Sequence, residues 1–182
     1  PAIALLERHT KVFNLDSGVD YRLRALQQLP LYHFPHDRVA ERALRDMFNS
    51  LAPLAPEFDA QIAVNGRKIP VLALADDVVW FSFHALCDGP RSQNDYIELG
   101  KIYSAVILSN VEQMDARNED IARRFINLVD EFYDRNVKLL LTAEAKVENL
   151  YRDGKVSFEF QRTVSRLLEM QSEEYLESAH KA

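Results

Sequence analysis

The sequence predicts an α/β fold, and three stretches carry the prediction. Residues Ile121 to Glu144 read IARRFINLVDEFYDRNVKLLLTAE. Within them Ile121, Phe125, Leu128, Val129 and Phe132 fall on one helical face. The Asp134-Arg135-Asn136 turn then feeds Val137 to Leu141, a near-continuous apolar run of the kind buried on both faces in a parallel sheet. Tyr103 to Leu108 is a second such run, preceded by a helix from about Asp95 to Lys101. Upstream, Gln61 to Phe83 alternates, with the hairpin signal Asn65-Gly66 inside it. The order is therefore a small antiparallel meander, then α, β, α, β, α. Two successive helix-to-strand units point to a small parallel sheet with helices on its faces.

Each element has a local reason. Ala2 to Leu6 reads as the end of a buried helix, and Lys11 to Leu15 as a short strand before the Asp16-Ser17-Gly18 turn. Pro30 and Pro35 bracket an extended piece, Leu31 to Phe34. Asp37 is placed to cap a helix whose apolar face is Val39, Ala40, Ala43, Leu44, Met47, Phe48 and Leu51. Pro53 and Pro56 end that helix, which sets a domain boundary at 53–58 between a segment 1–52 and a segment 59–182. Gln61 to Val64 and Ile69 to Leu74 are the arms of the Asn65-Gly66 hairpin. Asp76-Asp77 turns into a third strand, Val78 to Phe83, and Leu86 to Asn94 is turn-rich. At the polar end of the last strand stand Thr142-Ala143-Glu144, where sheets of this kind often meet a ligand. The chain closes on a helix carrying Phe160, Val164, Leu167 and Leu168, continued through Tyr175, and a frayed tail, Ser178 to Ala182.

Composition excludes several functions. With 182 residues the chain can bury one good core or two small ones. A net charge of -6 argues against binding nucleic acid by bulk charge. The single cysteine, Cys87, cannot form an internal disulfide and suits a reducing, cytoplasmic compartment. No apolar run is long enough to span a bilayer. The first residue is Pro1 rather than Met, which reads as a chain cut from a longer protein.

The chemistry is sparse. No Gly-x-x-x-x-Gly-Lys-Ser/Thr pattern surrounds any of the five glycines, so no Walker A cradle is expected here. The histidines show no metal spacing with each other or with Cys87, and His33 and His36 flank Pro35 in a loop. Cys87 reads as a small core residue. Arg123-Arg124 opens the central helix behind Asn118-Glu119-Asp120. It reads either as a solvated face with short-range ion pairs or as an arginine reaching across an interface to a phosphate or carboxylate. Arg162 and Arg166 read as a solvated face, Arg166 close to Glu169. No acid–base or nucleophile constellation is visible, which argues against a small-molecule enzyme confined to this chain.

A resemblance adds to this reading. Arg123-Arg124-Phe125-Ile126, Leu128-Val129-Asp130, Phe132-Tyr133-Asp134 and the closing Phe160-Gln161-Arg162-Thr163-x-Ser165-Arg166-Leu167-x-Glu169-Met170-Gln171 resemble the C-terminal region of the AFG-type AAA+ ATPases, in particular the bacterial cell-division ATPases of the ZapE type. Leu86-Cys87 followed by Asp95-Tyr96, and the run from Pro1 through Gly18-Val19-Asp20-Tyr21-Arg22, extend the match over the chain. It departs at Glu112 and Lys146, where prolines are usual.

The resemblance implies a parent protein that binds and hydrolyses ATP with Mg²⁺, its Walker A and Walker B motifs upstream of Pro1. Pro1 to about Leu15 would be the last helix and strand of the AAA+ core, Val19 to Leu51 a lid segment, and 59–182 the C-terminal α/β domain. Arg22 would be a lid-side nucleotide contact, with Arg24 as its competitor. Self-assembly and the division-ring protein FtsZ as partner follow from the same resemblance, with Arg123, Arg124 and Arg162 as candidate interaction residues. The chain alone would be inactive. A free-standing protein-interaction module with no nucleotide role is the alternative.

Overall fold

In the computed structural model the residues described are 21–28, 30–52 and 56–182. The expectations for Pro1 to Leu15 lie outside them. Helix α1 (Tyr21–Gln28) leads to the short strand β1 (Tyr32–His33) and helix α2 (Arg38–Leu51). Asp37 caps α2 as its sequence demands, its carboxylate accepting from the backbone N–H groups of Val39 and Ala40 at 2.9 Å. Strands β2 (Glu57–Phe58), β3 (Gln61–Val64), β4 (Arg67–Pro70), β5 (Ala73–Ala75) and β6 (Val78–Ser82) follow. Then come α3 (Phe83–Cys87), α4 (Gln93–Ile102), β7 (Ala105–Val111), α5 (Glu119–Asp134), β8 (Lys138–Ala143), α6 (Ser157–Glu169) and α7 (Glu173–Glu177).

Six strands form one sheet in the order β1-β8-β7-β6-β5-β2. The contacts β1–β8, β8–β7 and β7–β6 are parallel, while β5 and β2 complete the sheet antiparallel. The parallel connections run through α3 and α4 (β6 to β7) and through α5 (β7 to β8). Because strand side chains alternate, the sheet feeds two cores. Val79, Phe81, Val106, Leu108, Leu139 and Leu141 face α4, α5 and α6. Trp80, Ile107 and Leu140 face Leu44, Met47, Phe48 and Leu51 of α2 and Leu26 of α1. Segments on both sides of residue 53 thus pack on one sheet.

Several expectations are corrected. The alternating stretch is not one meander. Asn65 (φ 48°) and Gly66 (φ 74°) make the expected tight turn, but β3 and β4 stand apart as their own two-stranded sheet. The predicted return arm breaks after Pro70: Val71 N–H bonds to Ala60, still in the hairpin's register, while Leu72 N–H turns to Trp80 of the main sheet. Val39 is 74% exposed, because it lies off the stripe of Ala40, Leu44, Met47, Phe48 and Leu51 that α2 buries. The closing helix stops at Glu169 and restarts at Glu173, with Ser172 capping the new turn through Tyr175 N–H. The tail is docked rather than frayed. Asn136 donates to the Ala179 carbonyl at 2.8 Å, and Lys181 N–H to the Arg135 carbonyl at 2.9 Å. None of the described helices is long and apolar enough to cross a membrane.

Candidate functional site

The strands β6, β7 and β8 begin side by side, so the residues just before or at their amino ends converge. These are Asp77, Ser104 and Lys138. Helix α1 and the C-terminal tail roof them, enclosing a cavity of about 360 Å³ that Arg22 and His180 also line. Arg22 Nη1 lies 2.8 Å and 3.0 Å from the two carboxylate oxygens of Asp77, and the Ser104 hydroxyl donates to the same carboxylate. Burial raises the Asp77 pKa, but the Ser104 and Arg22 contacts outweigh it and hold the carboxyl below its usual range. The Asp77 main-chain carbonyl also receives the N–H groups of Ser104 and Ala105, tying the β5–β6 turn to the start of β7.

Lys138 opens β8 and is only 9% exposed. Its ammonium donates to the carbonyls of Tyr175 at 2.9 Å and Ser178 at 2.7 Å and lies 4.9 Å from the centre of the Tyr175 ring. Burial pushes its pKa down to about 8. The Tyr175 hydroxyl is within hydrogen-bond reach of the carbonyls of Phe132, Tyr133 and Val137. The His180 ring meets the Gly100 carbonyl at 2.6 Å. The group ties α1, α7, the tail and the amino edge of the sheet together.

Sequence reasoning singled out Arg22 but missed Asp77, Ser104, Lys138 and Tyr175. One signal was readable: a lysine inside the apolar run Val137 to Leu141 is out of place, because lysine is seldom buried without a partner. At the opposite, carboxyl edge, Thr142 and Glu144 are occupied by the protein itself. Thr142 Oγ1 accepts the Asn110 N–H at 2.9 Å, and Glu144 accepts the Gln113 N–H at 2.8 Å. Both hold the irregular end of β7.

The arginines of the central helix divide. Arg123 is exposed. Arg124 donates to the Cys87 carbonyl at 3.2 Å, closing the last turn of α3. Arg162 pairs with Asp130. Arg166 Nη1 lies 2.7 Å from Asp130 Oδ1, in ion-pair contact without hydrogen-bond alignment, and Nη2 lies 3.5 Å from Asp134. Its guanidinium also covers the Tyr133 ring at 4.7 Å. Arg166 therefore locks α6 onto α5 rather than pairing along its own helix with Glu169. Asp130→Ala should cost about 1–3 kcal/mol by leaving two guanidiniums without their shared carboxylate; urea unfolding of the variant measures it.

Cys87 is fully buried, and burial drives its thiol well above the ordinary value against the opposing pull of Arg124. It is an inert core residue. Among the described residues no group of His, Cys, Asp and Glu is placed to hold a metal ion.

A parallel-rich α/β sheet with helices on both faces is compatible with an AAA+ type domain. The model of the AFG1-like ATPase family matches residues 1–179, and the chain belongs to that family. It is 44% identical over 184 residues to the cell division protein ZapE of Escherichia coli, covering all of this chain and 48% of that protein. It is 29% identical to lactation elevated protein 1 homolog B of Danio rerio, over 96% of this chain and 42% of that one. An uncharacterized protein of Schizosaccharomyces pombe is 30% identical over 98% of the chain and 46% of its own length. The chain thus spans about half the length of the relatives it matches. No solved structure matches it.

Proposed function

We propose that this chain is the C-terminal part of an AFG1-like P-loop ATPase that acts in bacterial cell division. The similarity to ZapE across the whole chain carries the reading. The parent hydrolyses ATP with Mg²⁺ through Walker motifs upstream, and this part supplies lid and interaction surfaces. Residues 1–52 form the end of the AAA+ core and the lid segment, 53–58 the linker, and 59–182 the C-terminal domain. The parent works in the cytoplasm, assembles around ATP and meets FtsZ. Arg123 and Arg162 belong to the surface a partner reaches, whereas Arg124 meets the neighbouring α3.

Arg22 is the nucleotide contact in this reading. Its hold on Asp77 makes that carboxylate the resting partner from which phosphate draws the guanidinium. In the full-length protein, Arg22→Ala should lower ATP turnover about tenfold or more, at the scale of lost transition-state charge stabilisation, with the melting temperature within a few degrees of wild type. Asp77→Asn, which removes the charge of this ion pair, should retain turnover. Phosphate release assays compare the three proteins. Equal turnover in Arg22→Ala and wild type removes Arg22 from the site. Absence of any ATP hydrolysis by the wild-type full-length protein sinks the ATPase reading itself.

A further inference from the structure

Helix α1 and the C-terminal tail each bury very little. Among residues 22–28 only Leu26 is buried, and among residues 173–182 only Tyr175 and Leu176. An eight-residue helix does not hold its shape on backbone bonds alone. The cavity of about 360 Å³ separates part of both elements from the strand ends. They lean on each other instead. Leu26 and Leu176 are buried in one apolar cluster, and the Gln27 amide donates to Glu173 at 3.2 Å. Elements with so little buried apolar surface open locally at low cost.

The two elements are fastened at separate points. Arg22 holds α1 to the β5–β6 turn through Asp77. The tail is held by Lys138, which donates to the Ser178 carbonyl, by Asn136, which donates to that of Ala179, and by the Arg135 carbonyl, which accepts the Lys181 N–H. The His180 ring adds its contact with the Gly100 carbonyl. These anchors sit on α4, on β8 and in the turn before β8, not on α1. Tyr175 is pinned more firmly. Its ring stacks on Tyr133 at 5.6 Å, and its hydroxyl has three carbonyls in reach. Tyr175 is therefore the fixed end, and residues 176–182 are the part able to lift.

We propose that α1 and residues 176–182 form a two-state latch over the amino edge of the sheet: Arg22 rests on Asp77 while the tail is seated, and release of either loosens the other. The leucine contact carries the coupling. When the tail lifts, Leu176 goes with it, and α1 is left with Arg22 and its packing on α2. When Arg22 leaves Asp77, α1 shifts and uncovers Leu176. Coupling between two sites is reciprocal, so the loosening is felt from both ends. A ligand that draws off the Arg22 guanidinium is thereby signalled to the tail, and a partner that captures the tail mobilises Arg22. The latch does not depend on the ATPase reading, which adds only the nucleotide as the ligand that operates it.

Hydrogen exchange on the full-length protein, read by mass spectrometry, tests the latch. Asn136→Gly combined with His180→Ala removes two tail anchors without touching α1, and glycine readily takes the φ of 55° that Asn136 adopts. Residues 21–28 should then exchange about threefold faster or more, part of the loss of two hydrogen bonds at the tail. Arg22→Ala should speed exchange over residues 176–182 by a similar factor. Exchange in β7 and α5 should stay as in wild type in both variants. Unchanged exchange over residues 21–28 in the double variant, or over the tail in Arg22→Ala, overturns the proposal. Equal acceleration of β7 and α5 overturns it too, since that reports a global loss of stability. ATP with Mg²⁺ supplies the ligand arm. Faster tail exchange with ATP, lost in Arg22→Ala, supports a latch worked by nucleotide. A tail unmoved by ATP, with both variants behaving as expected, keeps the latch and takes the nucleotide away from Arg22.

Discussion

Phe125→Ala should destabilise the chain by about 3–5 kcal/mol, the range for removing a fully buried phenylalanine. Phe125 has no solvent exposure and lies on the face of α5 that meets the sheet. It is the middle of an aromatic file. Phe83 meets it edge-on at 5.9 Å, Phe160 stacks on it at 6.1 Å, and Tyr151 stacks on Phe160 at 5.1 Å. These rings come from α3, α5, α6 and the segment leading into α6. Truncation therefore removes the contact that joins three helices, beyond the transferred area. Interior packing leaves the hole little room to collapse. Arg123→Ala, two residues earlier but exposed, should change stability by no more than about 0.5 kcal/mol. Denaturant unfolding of both variants tests the pair, and a loss below about 1 kcal/mol in Phe125→Ala refutes the view of α5 as the helix that holds this face.

What could be read in the sequence was whatever rests on short-range pattern. The α5–β8 unit, β7, the Asn65-Gly66 turn and the Asp37 cap all follow from periodicity or from residues within a few positions of each other. Asn136, in the predicted turn before β8, takes the left-handed conformation (φ 55°) that such a turn uses. The remainder depends on distant partners. β1 is two residues long and becomes a strand only because Tyr32 and His33 lie beside Leu141 and Thr142. The alternating stretch carried the right period but no sign that the chain changes sheets at Val71 and Leu72. The site shows the same divide. Arg22 could be singled out by position, but Asp77 lies 55 residues away and Ser104 27 residues beyond that. The tail reads as frayed from its polar composition, which does not reveal the bonds of its backbone to the Arg135 carbonyl and the Asn136 side chain. Arg166 was assigned to Glu169 by helical spacing, whereas a neighbouring helix offered Asp130 and Asp134.

Lys138 makes the stability of the fold depend on pH in an uncommon direction. Burial lowers its pKa from 10.5 to about 8 in the folded chain, while the unfolded chain keeps the ordinary value. Below pH 8 both states hold the proton, and folding bears the cost of burying an ammonium that has only carbonyls and a ring for company. Above it the folded state releases the proton and the unfolded state still binds it, so unfolding becomes harder as pH rises. Taken alone, this contribution should reach about 2 kcal/mol by pH 10. The Cys87 thiol and the buried tyrosines act the other way. Burial raises the pKa of Cys87, Tyr96 and Tyr175, so they stay protonated in the folded chain while their unfolded counterparts ionise, the thiol first. A stability maximum near pH 9 is the expected outcome, read from urea midpoints between pH 7 and pH 11. Lys138→Met keeps the length of the side chain and removes the charge. Its curve should lack the rise above pH 8 and show only the fall. A rise of equal size in the variant would assign the proton to another group and leave Lys138 as a plain tether for the tail.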